Sequence, residues 1–336
     1  MAIAWKPGLD RELLNANGAV SDHALGYQYT IQTTTQIRAR VIEQVYYEIA
    51  VADFIPVEIG TGAYMEDIKT NIQYANMGSF ASGLQGVSSG PTSVPQVHVS
   101  TSPKTTTLAS WAFGYQYSTP EVQKALASNN WNVIEGMMKA LKKRWDLGIQ
   151  ETAFLGLPGN YTLFPGLFSN ADVTVDTAVI NSAISSMSYA DFATFISQLM
   201  AAYFSNSGST KLPDHFIIPM SDFLGLSVPV SPQFPNISKF DYLDKALKQA
   251  TGNPNFVFAG NAYLDQANNI GVWTGAGSYR YCLYRNNEGT MKMDIPVPFT
   301  LNPAATSNNY QWNGVSCGQF SGLIIFKTPE VLYFDI

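Results

Sequence analysis

The stretch that decides the fold is STPEVQKALASNNWNVIEGMMKALKKRWDLGIQETAFLG, residues 118–156. Ser118 and Glu121 match a capping box, with Pro120 in the first turn. Apolar residues then recur at intervals of three or four: Val122, Leu126, Ile134, Met137, Met138, Leu141, Trp145, Ile149 and Ala153. This spacing predicts one amphipathic helix over about 119–155, which at 1.5 Å per residue would be roughly 50 Å long. We call this segment the spine helix.

The segment before the spine helix alternates polar and apolar residues, which is typical of β-strands. Residues 60–110 predict an extended β-hairpin, with its tip in the Gly- and Pro-containing stretch GSFASGLQGVSSGPTSVP, residues 78–95. Just beyond the hairpin, four aromatic residues recur at a spacing of two: Trp111, Phe113, Tyr115 and Tyr117. Because such residues share one strand face, we expect another element to pack on them.

The remaining segments complete an α+β pattern. Residues 1–32 have no sustained period and predict an N-terminal arm, and residues 33–59 predict an amphipathic helix that stops near Pro56 and leads into the hairpin. Residues 171–292 alternate helix and strand patterns, as in SYADFATFISQLMAAYF and DHFIIPM, which is typical of a compact α/β domain. The final stretches MKMDIPVPF and GLIIFKTPEVLYFDI return to strands.

The composition favours a surface that contacts other protein. Only 13% of the 336 residues are charged, and 19 basic against 25 acidic side chains leave a net charge of -6. Neutral polar residues fill the surface instead, while 18 Tyr and 19 Phe supply the amphipathic area enriched at interfaces. A mildly acidic chain is expected to hold nucleic acid only weakly and non-specifically.

The same sequence argues against a membrane or secreted protein. No apolar run reaches the roughly 20 residues needed to span a bilayer, and no secretory signal is visible, so we expect a soluble protein made in the cytoplasm. Cys282 and Cys317 are then expected to be two buried thiols and not a disulfide.

Enzyme and metal chemistry have little support. GVSSG, residues 86–90, fits the G-x-S-x-G pattern with Ser88 as nucleophile, but Pro91 and Pro95 follow where the motif requires a helix. His23 and His98 are poorly placed for a triad, which leaves His215, interpreted as a residue between surface and core with a local hydrogen bond. The histidines and cysteines lack metal-ligand spacing, so we expect no metal, no cofactor and no catalytic residue.

The densest charge cluster lies on the spine helix, at Lys139, Lys142, Lys143 and Arg144. Three readings are open: a solvated helix face, pairing with acidic residues such as Glu66 and Asp67 of another subunit, and phosphate contact. The candidate intersubunit contacts are these four cations and five residues of the hairpin: Tyr64, Glu66, Asp67, Lys69 and Tyr74.

The order of these parts resembles the major capsid protein of tailed double-stranded DNA phages, the Hong Kong phage-type capsid fold that encapsulins share. RWDLGIQETAFLG followed by PGLFSN is similar to the family's helix end and its exit to the axial domain. DHFIIPMSDFLGL resembles its strand, turn and short helix, and DIPVPF with GLIIFKTPEVLYFDI resembles its closing strands.

The resemblance implies a role for each segment. Residues 1–32 would be the N-terminal arm and 60–110 the extended loop that lies across a neighbouring subunit. Residues 111–170 and 293–336 would form the peripheral domain with the spine helix, and 171–292 the axial domain. The implied function is self-assembly into pentamers and hexamers of an icosahedral head shell around double-stranded DNA, in a virion assembled in the host cytoplasm.

Further partners implied by the resemblance are a portal at one vertex and separate scaffolding and decoration proteins. Relatives with a fused scaffolding segment carry it before the arm, where this chain has no room, so any scaffold is expected to be a separate protein. Some relatives form a Lys to Asn isopeptide bond, but Lys69 and Lys104 lie near the base of the predicted hairpin and match no partner Asn, so a covalent crosslink is not expected. Two alternatives stay open: an encapsulin-type compartment shell and, remotely, a serine hydrolase using Ser88.

Overall fold

The structure is a computed structural model that describes residues 47–76, 96–127, 133–269, 272, 279–306, 308 and 310–336. The chain divides into two compact units, of which the first comprises Met1–Tyr46 and Pro120–Val133 and the second Tyr47–Thr119 and Ile134–Ile336. The predicted arm, residues 1–32, lies outside the described residues. The description below concerns the second unit unless stated otherwise.

The α-helices of the described residues are α1 (Thr119–Ala127), α2 (Val133–Phe154), α3 (Tyr189–Asn206), α4 (Met220–Gly225) and α5 (Lys239–Thr251). The strands are β1 (Val57–Ile59), β2 (Asp67–Asn76), β3 (His98–Ser118), β4 (Thr174–Asp176), β5 (His215–Pro219), β6 (Pro229–Ser231), β7 (Phe234–Ser238), β8 (Val257–Asn261), β9 (Arg280–Tyr284), β10 (Met291–Ile295), β11 (Val297–Leu301), β12 (Ala305–Thr306), β13 (Gln311–Ser321), β14 (Leu323–Ile325) and β15 (Val331–Asp335).

The predicted spine helix is helical in both of its described parts. They are α1, which falls almost entirely in the first unit, and α2, whereas residues 128–132 lie outside the described residues. Helix α2 is followed by Gly156, whose φ of 92° favours glycine. A Cβ there would lie 2.5 Å from the carbonyl oxygen of Phe164, so the turn after the spine helix needs a glycine for space as well.

A five-stranded sheet in the order β4-β15-β9-β5-β8 is the central layer of the molecule. Successive side chains of its inner strands alternate between two cores, because residues along a strand point to opposite faces. One core holds Cys282 and Tyr333 with residues of α2, and the other holds Tyr281 and Phe334 with residues of α3 and α5. The sheet is therefore buried on both faces.

The C-terminal strand crosses the predicted domain boundary. Strand β15 pairs in parallel with β4 and antiparallel with β9, both of which lie within residues 171–292. The sequence analysis placed residues 293–336 with 111–170, but this last strand pairs instead with strands of residues 171–292. A buried ion pair supports the placement, since Arg280 on β9 makes two hydrogen bonds, of 2.7 and 2.6 Å, to the Asp335 carboxylate on β15.

A second sheet, in the order β11-β13-β3-β2, contains the predicted hairpin and the aromatic strand face. The expected partner of that face is α2, because the rings of Trp111 and Trp145 lie 5.3 Å apart. Gly318 on β13 makes room for this contact, since a Cβ there would lie 2.4 Å from the Trp145 indole. Phe113 stays exposed.

The predicted helix over 33–59 is wrong for its described part. Residues 47–50 have no regular structure, Val51–Asp53 forms a short 3-10 turn, and β1 joins a small sheet in the order β1-β10-β14. Tertiary hydrogen bonds replace the helical ones, because the Gln150 side chain accepts from the Ile49 amide at 2.9 Å and donates to the Tyr47 carbonyl at 3.1 Å. Residues 33–46 lie outside the described residues.

Candidate intersubunit surfaces

The predicted hairpin is an antiparallel pair of β2 and β3, in register from Asp67 opposite Thr107 to Asn76 opposite His98. Near its base Thr106 is buried, but every side chain from His98 to Pro103 is exposed, and Val99 is 62% exposed. The distal part of the hairpin therefore has no core on either face of β3. Its predicted tip, residues 78–95, lies outside the described residues.

The five candidate contact residues of the hairpin fall at its base and along β2. Tyr64, Glu66, Asp67 and Lys69 are exposed, and the Lys69 ammonium lies 3.6 Å from the Asp67 carboxylate. Tyr74 is opposite Ser100 in the ladder, and its side chain lies outside the described residues. Lys104, the other lysine considered for a crosslink, donates to the Ile325 carbonyl at 2.8 Å.

The chain segment before β2 is fastened to the outer face of β13. The Gln319 side chain donates to the Met65 carbonyl at 2.6 Å and accepts from the Met65 amide at 3.0 Å. Next to it, hydrogen bonds from Thr300 and Tyr64 lower the pKa of the Cys317 thiol. Tyr64 and Met65 still expose much of their apolar surface, so this fastened base presents contact area to solvent.

The four cations of α2 do not act as one cluster. Lys139 lies 3.0 Å from Glu135 one turn earlier, and Lys143 pairs with Glu48. Lys142 and Arg144 are exposed and have no ion pair within the described part of the chain. The structure does not bring any of the four to Glu66 or Asp67 of the same chain, so pairing of these groups between subunits stays a prediction.

The described residues among those considered for chemistry do not form a site. Ser88, His23 and the GVSSG motif lie outside the described residues, while His98 is exposed on β3. His215 is buried at the start of β5, where its Nδ1 lies 2.6 Å from the Asp214 carboxylate, as the local interpretation predicted. Among the residues that the structure describes, no three His, Cys, Asp or Glu side chains are grouped to hold a metal ion.

Both cysteines are free thiols, as predicted, but only Cys282 is buried; Cys317 is half-buried, because it lies on the face of β13 that the Cys282 core does not cover. None of the helices in the described ranges is long and apolar enough to cross a membrane.

Sequence analysis missed one exposed surface, at the hairpin of β6 and β7. Phe234 and Ile237 are 51% and 42% exposed, and Leu224 and Val228, in the segment that precedes the hairpin, are exposed as well. A signal was present, since PVSPQFPNIS, residues 229–238, contains no charged residue although it forms an exposed hairpin.

The fold matches those of solved capsids. The capsid of Myoviridae phage XM1 aligns with a TM-score of 0.72 at 15% identity, over 90% of this chain and 97% of that one. The capsid of a native GTA particle aligns with a TM-score of 0.57 at 9% identity, over 91% and 97% of the two chains. A structure of Mycobacterium phage Ogopogo aligns with a TM-score of 0.53 at 11% identity, over 92% and 98%. No curated protein sequence matches this chain.

A family model supplies the function that fold similarity at such low identity does not. The model described as "Major capsid protein" matches residues 84–336, which is well over half of the chain. Proteins of this family are structural components of the virion shell and not enzymes. The alternative of an encapsulin-type compartment shell is not better supported than that of a head shell protein. The chain belongs to the major capsid protein family.

Proposed function

We propose that this capsid protein assembles into pentamers and hexamers, and that these close into the icosahedral head shell of a tailed phage. The observation that carries the proposal is the distal part of the β2–β3 hairpin, where residues 98–103 are exposed on both faces. A two-stranded hairpin alone is marginally stable in water, so it needs a surface to lie on. In a shell that surface belongs to the neighbouring subunit.

The base of the hairpin supports the same proposal. The contacts of Gln319 with Met65, and the long ladder between β13 and β3 from Ser118 to Leu108, hold the base in a defined direction. A stiff base reduces the conformational entropy that is lost when the distal part docks. The hairpin can therefore reach across a neighbour at a reproducible angle.

The remaining parts of the proposal follow the family resemblance. Residues 60–110 act as the extended loop. The arm and the peripheral and axial domains follow the predicted boundaries except at β15, which joins the axial sheet. The shell encloses double-stranded DNA that the acidic chain contacts weakly, and one vertex holds a portal. Scaffolding and decoration proteins are the further partners that the resemblance implies, and assembly takes place in the host cytoplasm.

The test is particle formation by the full chain, expressed with its phage's scaffolding protein where one exists. Light scattering and electron microscopy should find closed icosahedral particles of megadalton mass. In a matched variant, residues 72–102 are replaced by a short Gly-Ser turn, which keeps the lower part of the ladder. It should fold with wild-type circular dichroism but form no closed shell.

A full chain that stays monomeric under these conditions contradicts the proposal, and so does normal particle formation by the shortened variant. The contents of the particles separate the two kinds of shell, because a phage head packages genomic DNA and an encapsulin-type compartment holds an enzyme cargo.

A further inference from the structure

Strand β1 is a three-residue edge strand, and the chain runs from it to the base of the β2–β3 hairpin. It pairs in parallel with β10, and two backbone hydrogen bonds extend this pairing at its ends. The Met293 amide donates to the Pro56 carbonyl at 3.0 Å, and the Gly60 amide donates to the Ile295 carbonyl at 2.9 Å. Because so short a ladder contributes little, side-chain contacts between β1 and β10 weigh heavily in holding the edge strand.

Three charged side chains meet on one face of this strand pair. Glu58 and Asp294 are register partners, so their side chains point to the same face. Lys292, two positions before Asp294 on β10, shares that face. Its ammonium lies 2.8 Å from the Glu58 carboxylate and 3.0 Å from the Asp294 carboxylate. One ammonium therefore serves two carboxyl groups.

The two carboxyl groups differ in their surroundings. Glu58 is largely exposed, whereas Asp294 is only 4% exposed. Lys292 contacts Oδ1 of Asp294, but Oδ2 is buried and has no hydrogen-bond partner among the described residues. The Glu58 carboxylate lies within hydrogen-bonding reach of the Asp294 carboxyl group, but an ionised carboxylate has no hydrogen to donate. A proton on Oδ2 would remove this unpaired buried acceptor and supply a hydrogen bond to Glu58.

The charged groups of the described chain that act on Asp294 are Glu58 of β1 and Lys292 of β10. Strand β14 contributes only apolar side chains, and β13 contributes the Ser321 hydroxyl, which accepts from the Asp294 amide at 2.9 Å. Burial raises the pKa of Asp294, while the hydrogen bond from Lys292 lowers the pKa of Glu58. The pair therefore releases its two protons in separate steps, and keeps one proton between them.

We propose that Asp294 and Glu58 share one proton, and that this proton fastens β1 to β10 and so holds the approach to the β2–β3 hairpin. When Asp294 releases the proton to solvent, two negative charges face the single positive charge of Lys292, and the edge strand loosens. This switch lies within one chain, so it does not depend on the proposed assembly. It makes the stiffness of the hairpin base sensitive to pH.

The first test is hydrogen exchange of the unassembled full chain, measured by mass spectrometry as the protection of residues 56–62 in the wild type and in Asp294→Asn. Asparagine keeps the shape of the protonated carboxyl group and donates to Glu58 at every pH. Dividing the wild-type protection by that of the variant therefore removes the contribution of Glu58.

The sign of the effect follows from the raised pKa of Asp294 in the fastened state. The stability that this proton contributes is fully present below the ordinary aspartate pKa and is lost as pH rises through the raised value. The ratio of protection should thus be constant below about pH 4 and fall above it, by up to about tenfold per pH unit, until Asp294 is ionised.

The matched control is Asp67→Asn, which neutralises an exposed carboxylate at the start of β2 and should keep the wild-type fall with pH. A ratio that does not change with pH overturns the proposal. A fall that Asp67→Asn also abolishes overturns it as well, because the pH dependence would then not belong to Asp294.

A second variant keeps the proposal falsifiable if Asp294→Asn folds poorly. Glu58→Gln changes an exposed side chain, so its circular dichroism should match that of the wild type. Its amide donates to ionised Asp294, so the shared proton is no longer needed. Isotope-edited infrared spectra of chains with labelled aspartate should show a protonated carboxyl band that persists to higher pH in the wild type than in this variant. Identical titration of that band in the two chains overturns the proposal.

Discussion

Strand β9 in the central sheet and the distal part of β3 in the extended hairpin differ in what covers them. Every side chain of β9 is buried, and its neighbours β15 and β5 are covered almost as completely. The first six residues of β3 are all exposed, although they pair with β2 just as regularly. The central sheet is thus stabilised by packing within one chain, whereas the distal part of the hairpin is held only by the hydrogen bonds between β2 and β3. We therefore expect the central sheet to fold within a single chain and the distal part of the hairpin to be stabilised by a neighbouring subunit.

Alkaline pH should produce the largest effect, through buried tyrosines of the central sheet and of helix α3. Burial raises the pKa of Tyr203, Tyr281, Tyr284 and Tyr333 above the ordinary value near 10. A raised folded pKa means that stability is fully present below about pH 10 and is lost as pH rises further. The tyrosinate absorbance of these four side chains should therefore appear only together with the loss of the circular dichroism signal, in one cooperative transition above that pH.

The matched control for the pH experiment is Tyr203→Phe, which removes one titrating group and should make the pH dependence shallower. Ionisation of these four buried tyrosines near pH 10 in a protein that stays folded would contradict the account.

Truncation of a buried side chain should separate the two regions most directly. Phe334→Ala on β15 removes a ring that is fully buried against α3 and α5, and should lower the free energy of unfolding by about 3–5 kcal/mol. Val99→Ala on the exposed hairpin should change it by less than about 0.5 kcal/mol. Urea denaturation of the unassembled chain measures the free energy of unfolding of both variants. Similar values for the two would contradict the difference in packing between the two regions.

A smaller effect on the free energy of unfolding is expected where the paired strands β3 and β13 pack against α2. Gly318→Val places a side chain against the Trp145 indole, and overpacking of this kind should cost about 1–3 kcal/mol. Gly114→Val is the control on the paired strand, because a Cβ there meets only the Gly314 carbonyl oxygen, at 3.8 Å. Equal midpoints of thermal unfolding for the two variants would show that the Trp145 contact is not tight.

Lys69→Ala, like Val99→Ala, should have only a small effect on stability. Its ion pair with Asp67 is largely exposed, and such pairs contribute about 0–1 kcal/mol. The thermal midpoint of the unassembled chain should therefore hardly move. If Lys69 is an intersubunit contact, the yield of particles should fall all the same, and Lys211→Ala, on an exposed loop, serves as the comparison. Unchanged particle yield would remove Lys69 from the candidate contacts.

Local patterns predicted the segments whose partners are close in sequence. The periods of α2, α3 and α5 and the alternation along β2 and β3 are visible in the printed letters, because one face of each element is apolar or aromatic. The same approach failed at residues 47–50. There the spacing of Ile49 and its neighbours fits a helix, but Gln150, about a hundred positions later, takes the backbone hydrogen bonds.

The candidate contacts could be predicted only in part. Tyr64, Glu66, Asp67 and Lys69 are exposed at the hairpin base as expected, whereas Lys139 and Lys143 already have acidic partners within the chain. Glu48, the partner of Lys143, lies in a segment whose position no local pattern defines. The exposed surface of the β6–β7 hairpin was missed because its apolar residues are few and separated by proline, so neither period stands out.

By itself, the sequence determined the α+β class, the long helix before Gly156, the extended hairpin and the low charge of a surface that contacts protein, since each depends on composition or on residues near one another. Only the tertiary structure decided that β15 returns into the central sheet, that Gly318 admits Trp145, and that β7 is exposed on both faces. These features depend on which segments, distant in sequence, bury each other's side chains and share hydrogen bonds. A local sequence pattern does not contain that information.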